Sequence, residues 1–386
     1  MSKKEDTKGM RATSELDRRQ FLGGTGMAVG LGAGGLLASL GLSGCATKPA
    51  AAAASPAAPA AAAPTPAGRP PLPPEPTVSQ PPPLQDLKGK VAYVSAASDG
   101  IGLGIARAAS NAGMIVVIGY RNEERLKAAL PLFKPGNAGV MPFKHDVTDR
   151  AAWTQMVEQV KSKYGKLHLV VNNAGIKTLR QASQAKYDEW DNAVAVNFTA
   201  IYNSVAACLP HMLEHGEGGH FVTTASMGGL LPGVNAGIYT STKIAAVGIM
   251  EALRVELEST NIGTSVFCPG GVNTDNYIGT GEENPYHAHG AGGPPRPAGP
   301  PVGMDPLEAG ERVMNGVIHN DLFILSHPEF KPGMQERFDA IMLSTPTVEE
   351  PIPEPRVAYE RVVLRCGIYP REIQHRKAKR GSYRET

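Results

Sequence analysis

Tyr239 and Lys243 stand four residues apart in the stretch SMGGLLPGVNAGIYTSTK, which runs from Ser226 to Lys243. On a helix that spacing stacks the two side chains on one face. A phenol alone, with a pKa of about 10, is a poor proton donor or acceptor at neutral pH. An ammonium beside it favours the phenolate and is expected to draw that pKa down. Ser226 precedes Tyr239 by thirteen positions and closes an apolar run, HFVTTAS, that reads as a strand. Its hydroxyl could hold a carbonyl or alcohol oxygen against the phenol, which makes the stretch a proton-transfer site at a C–O centre. The spacing alone would also suit a plain amphipathic helix start. Against that, no other tyrosine in the chain has a lysine four residues on, and signals for a nucleotide cofactor surround this one.

The elements that must position these groups begin at Lys88-Gly89-Lys90, followed by VAYVSAASDGIGLGIARAASNAG. A short apolar strand meets a turn of small residues, and an Ala-rich helix follows. Glycines at 100 and 102 let the backbone approach a pyrophosphate, whose charge the helix N-terminus meets. The turn Ser95-Ala96-Ala97-Ser98-Asp99-Gly100-Ile101-Gly102 resembles that of the short-chain dehydrogenase/reductase family, written Thr-Gly-x-x-x-Gly-x-Gly. Ser95 keeps the hydroxyl of the family's threonine. Ala96 replaces its first glycine, which is tolerable where that position has an ordinary φ.

The resemblance extends from about Leu87 to Leu343 and implies a doubly wound parallel α/β (Rossmann) domain that moves a hydride between a nicotinamide cofactor and an alcohol or carbonyl. It assigns Tyr239 the proton exchange, Ser226 the substrate oxygen, and Lys243 the ribose and the tyrosine's pKa. Asn197, inside the apolar stretch AVAVNFTAIY of a helix expected over Tyr187 to His215, would bend that helix and hold a water relaying protons to Lys243. Ser95, Ser98, Gly100, Ile101 and Gly102 would border the cofactor's phosphates. Asp146 and Val147, ending the third strand, would meet the adenine. Asn173, Ala174 and Gly175 match the motif closing the fourth strand, and Pro269, Gly270, Val272 and Thr274 match the segment beneath the nicotinamide. The second strand ends Tyr120-Arg121 where the family's NAD-binding members carry an acidic residue. Arg121 can pair with a 2′-phosphate and no carboxylate repels it, so NADP is expected, with NAD possible. The resemblance also implies a homo-oligomer. Two other readings stay open: an NAD-dependent alcohol dehydrogenase of the same family, and a non-catalytic dinucleotide-binding scaffold.

Composition sets the outer organisation. The net charge of +2 over 386 residues implies no polyanionic partner, and no basic stripe of the kind nucleic-acid binding needs appears. Residues 1–44 read as an export signal. Asp17-Arg18-Arg19-Gln20-Phe21-Leu22 resembles a twin-arginine signal, and Leu42-Ser43-Gly44-Cys45 a lipobox whose cysteine would carry lipid. A permanent apolar anchor, a disordered tail and a cytoplasmic location are the alternatives to an exported, membrane-tethered lipoprotein. Ala46 after the cysteine gives no sign of inner-membrane retention. Residues 45–86, rich in alanine and proline, read as an extended spacer.

Residues 87–343 form the expected domain, within which Gly279 to Gly303 is an irregular Gly/Pro-rich run that reads as a substrate lid or a disordered insertion. Residues 344–386 form an extension whose basic end reads as a solvated tail, although the stretch RVAYERVVL has helical spacing and could dock. Cys208, Cys268 and Cys366 suggest no disulfide framework. His211 and His215 sit four apart at a helix end, a spacing too weak by itself to make a metal site, so no metal is expected.

The signal has a direct test. Replacing Arg18 and Arg19 with lysine should leave the precursor in the cytoplasm, and Cys45→Ala should release exported protein from the membrane; fractionation and immunoblotting read both. Normal export and lipidation of the double-lysine variant would end the twin-arginine reading.

Overall fold

Short apolar runs separated by helical patterns build a parallel sheet in this computed structural model, which describes residues 79–274, 303–346, 353–356 and 367–379. The export signal, Cys45, most of the spacer, most of the Gly/Pro-rich run and most of RVAYERVVL lie outside the described residues. Seven strands pair in parallel: β1 (Val91–Val94), β2 (Ile115–Tyr120), β3 (Val140–Lys144), β4 (Leu169–Asn172), β5 (Gly219–Thr224), β6 (Ile262–Cys268) and β7 (Phe323–Leu325). Their order across the sheet is β3-β2-β1-β4-β5-β6-β7. The winding therefore reverses between β1 and β4, and an open α/β sheet binds its ligands at the C-terminal ends of the strands on either side of that point.

Strands β1, β4, β5 and β6 are buried at every residue, because helices cover both faces. Side chains alternate between two cores. Val91 and Tyr93 face one, with Trp153, Met212 and Met250. Ala92 and Val94 face the other, with Ile105, Val313 and Val317. On the second face α1 (Gly100–Asn111) crosses α7 (Pro306–His319) at very short range. Glycines permit it: a methyl on Gly104 would overlap the Pro306 carbonyl, and one on Gly310 the Gly104 carbonyl.

The remaining helices are α2 (Glu123–Ala129), α3 (Arg150–Tyr164), α4 (Tyr187–Val194), α5 (Ala200–His215), α6 (Gly237–Leu257) and α8 (Lys331–Leu343). The helix expected over Tyr187 to His215 is present, but a π-turn at Ala195–Thr199 interrupts it between α4 and α5. His211 and His215 stack their rings 5.3 Å apart near the end of α5.

Two expected boundaries need correction. The spacer does not run to residue 86. The Gln80 amide donates to the carbonyls of Thr260 at 2.7 Å and Ile262 at 3.0 Å, and Leu84 is 1% exposed, so the folded part has begun by Ser79. The basic C-terminus is not wholly a solvated tail, since residues Ile368–Ala378 form a docked helix. The reason is electrostatic. Asp321 lies fully buried at the foot of β7, and a buried carboxylate needs partners. The C-terminal helix supplies His375 at 3.0 Å and Arg376 at 3.3 Å, while its Arg371 pairs with Glu258 of the main body. Ser79 Oγ in turn donates to the Arg371 carbonyl at 3.0 Å, so the two ends of the described chain clasp each other.

Candidate active site

At the C-terminal end of β5 the chain turns through Met227–Gly229, a single 3-10 turn capped by Ser226, whose Oγ accepts from Gly228 N at 3.0 Å. Small residues are required here. A methyl at Gly228 would stand 3.1 Å from the Tyr239 ring, and one at Gly229 2.7 Å from the Lys243 carbonyl. The turn thus lies directly on the first turns of α6 and brings the serine hydroxyl beside the phenol. Met227 N donates to Pro269 O at 2.9 Å, which fixes the turn to the end of β6.

Lys243 is 5% exposed, and its ammonium donates to the Thr224 carbonyl at 2.8 Å. Its Nζ stands 5.7 Å from the centre of the Tyr239 ring. Burial brings this lysine down from its ordinary value to about 8. Burial likewise raises the Tyr239 phenol, with the Ser226 hydroxyl pulling the other way. The expected lowering of the phenol by Lys243 is therefore corrected: the ammonium points at a backbone carbonyl, and desolvation sets the direction.

Asn197 occupies the middle of the π-turn, 2% exposed. Its Oδ1 accepts from Ile176 N at 2.8 Å, and its Nδ2 donates to Ile176 O at 2.8 Å and Thr242 Oγ1 at 3.0 Å. An amide inside an apolar helix must be satisfied in this way, and widening the helix by one residue lets it reach the loop after β4. That loop contains Gly175. A methyl there would sit 3.3 Å from Lys243 Nζ and 3.4 Å from Asn197 Oδ1, so glycine keeps the two groups facing each other across bare backbone.

The turn after β1 completes the crevice. Ser95 is buried, and its hydroxyl donates to Val171 O while accepting from Asn173 N at 2.8 Å and Ala174 N at 2.9 Å. It braces two cofactor-side loops against each other. Gly100 has φ of +53°, and a methyl on Gly102 would overlap the Ala96 carbonyl and the Asn173 amide. Ser98 and Ile101 are partly exposed around the start of α1. Thr274 packs against Gly100, where a methyl would come within 3.0 Å of its Cγ2, and Val272 bridges to Met304. Ala96 does not have the ordinary φ that would excuse its methyl: at +49° it is left-handed, which costs roughly 1–2 kcal/mol for a residue with a Cβ.

At the outer end of β2, Arg121 pairs with Asp146 at 3.4 Å, both largely exposed. Burial alone would raise the Asp146 carboxyl, but hydrogen bonds from Thr148 and the charge of Arg121 outweigh it and hold the group below its usual range. Val147 is buried, and its carbonyl accepts from Trp153 Nε1 at 2.9 Å.

Three features escaped the sequence reading. Asp99 caps α1, accepting from Gly100 N at 2.7 Å, with Arg125 at 2.7 Å countering its charge; a helix-capping aspartate before a glycine was a usable signal. The Thr224 carbonyl that holds Lys243 leaves no side-chain trace. Nor does the distant sequence after β7 suggest that His327 reaches the Pro269–Gly271 segment, to which it is hydrogen-bonded at Gly270 N.

The family model for short chain dehydrogenases matches residues 90–284. The chain belongs to the short-chain dehydrogenase family. Among similar proteins, the C alpha-dehydrogenase of Sphingobium sp. (strain NBRC 103272 / SYK-6) is 26% identical over 299 residues, 72% of this chain and 93% of that protein. The apo structure of LigO from Sphingobium sp. strain SYK-6 superposes with a TM-score of 0.57 at 29% identity, covering 78% of this chain and 99% of that one. A short-chain dehydrogenase/reductase from Burkholderia phymatum, solved with NAD, shares the fold at 24% identity and a TM-score of 0.59, over 69% of this chain and 99% of its own. A short-chain dehydrogenase built on this frame is an oxidoreductase enzyme of a family that binds NAD(P), and Gly100 and Gly102 let the turn at the start of α1 close against Thr274, Ala96 and Asn173, where a Cβ would not fit.

The buried lysine gives a pH prediction. Its native pKa of about 8 lies below its ordinary 10.5. Below pH 8 both folded and unfolded chains hold the proton, and the burial penalty is complete. Between these values the unfolded chain binds more protons, so stability rises with pH. Relative to Lys243→Met, the wild type should gain stability through that window in urea unfolding. A difference between the two that does not change with pH would mean the site leaves the ammonium unperturbed.

Proposed function

We propose that this enzyme moves a hydride between NADP(H) and an alcohol or carbonyl substrate, with Tyr239 exchanging the proton at the substrate oxygen. The observation that carries this reading is the meeting of four side chains from the turn after β5, helix α6 and the π-turn: Ser226 beside the Tyr239 phenol, and Lys243 facing Asn197 across Gly175. When bound, the nicotinamide supplies the hydride chemistry; the chain supplies geometry and the proton.

Ser226 would hold the substrate oxygen in place by its hydroxyl. For reduction, the raised pKa of Tyr239 keeps its proton on the phenol at neutral pH until the oxygen beside it acquires charge. Lys243, still protonated at neutral pH but made a readier donor by the burial that lowers its pKa to about 8, is then suited to pass a proton on, and Asn197 would hold a water on the path from Lys243 to solvent. In the oxidative direction the same groups run in reverse. The name of the Sphingobium relative, C alpha-dehydrogenase, agrees with a dehydrogenase reaction at a carbon centre.

The cofactor preference rests on Arg121. Its exposed pairing with Asp146 is of a kind worth about 0–1 kcal/mol, so the guanidinium can be recruited by a phosphate at little cost. The strand end carries Tyr120, whose hydroxyl donates to Glu123 at 3.2 Å, in place of a ribose-binding carboxylate.

Two experiments test the reading. Tyr239→Phe keeps the ring and removes the proton. It should lower kcat against an alcohol and carbonyl panel by at least about a hundredfold, the scale of general acid–base contributions, and leave dinucleotide Kd nearly unchanged. A variant that keeps most of the wild-type rate would exclude Tyr239 as the acid/base. Arg121→Ala should weaken NADPH by about 1.5–3 kcal/mol, the range for a hydrogen bond to a charged group, with little change for NADH. Equal losses for both cofactors in calorimetric titrations would remove the 2′-phosphate role.

A further inference from the structure

His327 follows β7 and lies far in sequence from the Ser-Tyr-Lys group, yet it holds the backbone at the floor of the crevice. Gly270 N donates to its Nδ1 at 3.0 Å, and Gly271 O stands 3.0 Å from its Nε2. An amide N–H must donate and a carbonyl must accept, so the two contacts assign the neutral ring with its proton on Nε2. Ser326 Oγ, at 2.8 Å from Nδ1, then donates as well. The ring also packs closely against the glycine. A methyl on Gly270 would come within 2.8 Å of the imidazole and 2.7 Å of the Phe330 ring, which packs edge-on against His327 with centroids 6.3 Å apart.

The same strip of backbone is tied elsewhere. Pro269 O accepts from Met227 N, and Gly271 O accepts from Met304 N, both at 2.9 Å. Just past Phe330, a methyl at Gly333 would come within 3.3 Å of Leu231, so the start of α8 rests on the loop that follows Ser226. Gly270 N belongs to the Pro269–Gly270 peptide and Gly271 O to the Gly271–Val272 peptide, so a side chain bonded to both fixes the two peptide planes on either side of the Gly270–Gly271 link.

We propose that His327 is a positioning residue for the nicotinamide end of the cofactor, acting through the two peptides that flank the Gly270–Gly271 link without touching the ligand. The inference rests on the dinucleotide reading above, which gives Pro269, Gly270, Val272 and Thr274 to the nicotinamide. It separates the two halves of the cofactor: the adenine end, held near Arg121 and Asp146, is remote from His327 in the sheet order, because β2 and β3 lie at the opposite edge from β7.

The test uses the full chain and two probes in calorimetric titration, NADPH and 2′,5′-ADP, which carries only the adenine half. His327→Phe keeps an aromatic ring against Gly270 and Phe330 but removes both hydrogen bonds. It should weaken NADPH about tenfold, the size of one to two net hydrogen bonds, and leave 2′,5′-ADP unchanged. His327→Gln, whose amide can accept from one backbone group and donate to the other, should bind NADPH close to wild type. Should NADH prove the tighter cofactor, NADH with 5′-ADP gives the same comparison. A Phe variant with wild-type NADPH affinity, equal losses for both probes, or a Gln variant as weak as Phe would each overturn the positioning role. A wild-type chain that binds neither dinucleotide would overturn the cofactor reading itself, a result distinct from all three.

Discussion

The Lys243 ammonium is 5% exposed and donates to a carbonyl at the C-terminal end of β5. A cation in that setting carries a desolvation penalty, which shows as its pKa of about 8. Much of the surrounding structure can be understood as making that placement possible. The β5 strand ends where its last carbonyl can accept the proton. Gly229 lets the Ser226 turn lie on the lysine's own backbone, and Gly175 leaves room for the amine to face Asn197. The π-turn then moves Asn197 within reach of the β4 loop, where Ile176 satisfies both halves of its amide. Substituting a larger residue at either glycine would bring a side chain into this contact.

The sheet supplies the common end at which these loops meet. Because all seven strands run parallel, the turns after β1, β4, β5 and β6 emerge on one side. Val94 pairs with both Ile118 and Val171, so Ser95 emerges level with the loop after β4 and can brace it. The opposite end of the sheet is closed differently. Gln80 and the C-terminal helix gather on Asp321, Arg254 and Asn320, a buried polar cluster far along the strands from the site. Among the described residues, buried charge thus serves both ends of the sheet, at the candidate site and where the ends of the described chain dock.

Strand and helix placement was legible because short apolar runs alternate with helical patterns and glycines fall at several of the turns between them. Candidate site residues could be picked out because Ser226, Tyr239, Lys243 and Asn197 sit in distinctive local patterns, and the structure brings these four together. What could not be read depends on contacts between distant segments. The docking of Ile368–Ala378 turns on Asp321, some fifty positions away, and its basic residues look like any solvated tail until that buried carboxylate is located. Gln80 reads as part of a proline-rich spacer, although its amide closes the gap between α6 and β6. The direction of the Tyr239 pKa was misjudged because residue spacing indicates a neighbouring charge and says nothing of burial. Ala96 shows the same limit, since a residue type does not reveal that its position demands a positive φ.

The central claim is that these groups serve hydride transfer to a carbonyl carbon. Its most direct measurement is transfer of label. Purified protein is incubated with NADPH, or NADH, deuterated at either face of nicotinamide C4, together with a panel of aldehydes and ketones, and the products are examined by mass spectrometry. The account predicts that an alcohol forms with deuterium on its carbinol carbon, from one face of the ring and not the other. An alcohol product without label from either face would contradict direct hydride transfer, and no turnover across the panel by protein with bound dinucleotide would point instead to a binding role.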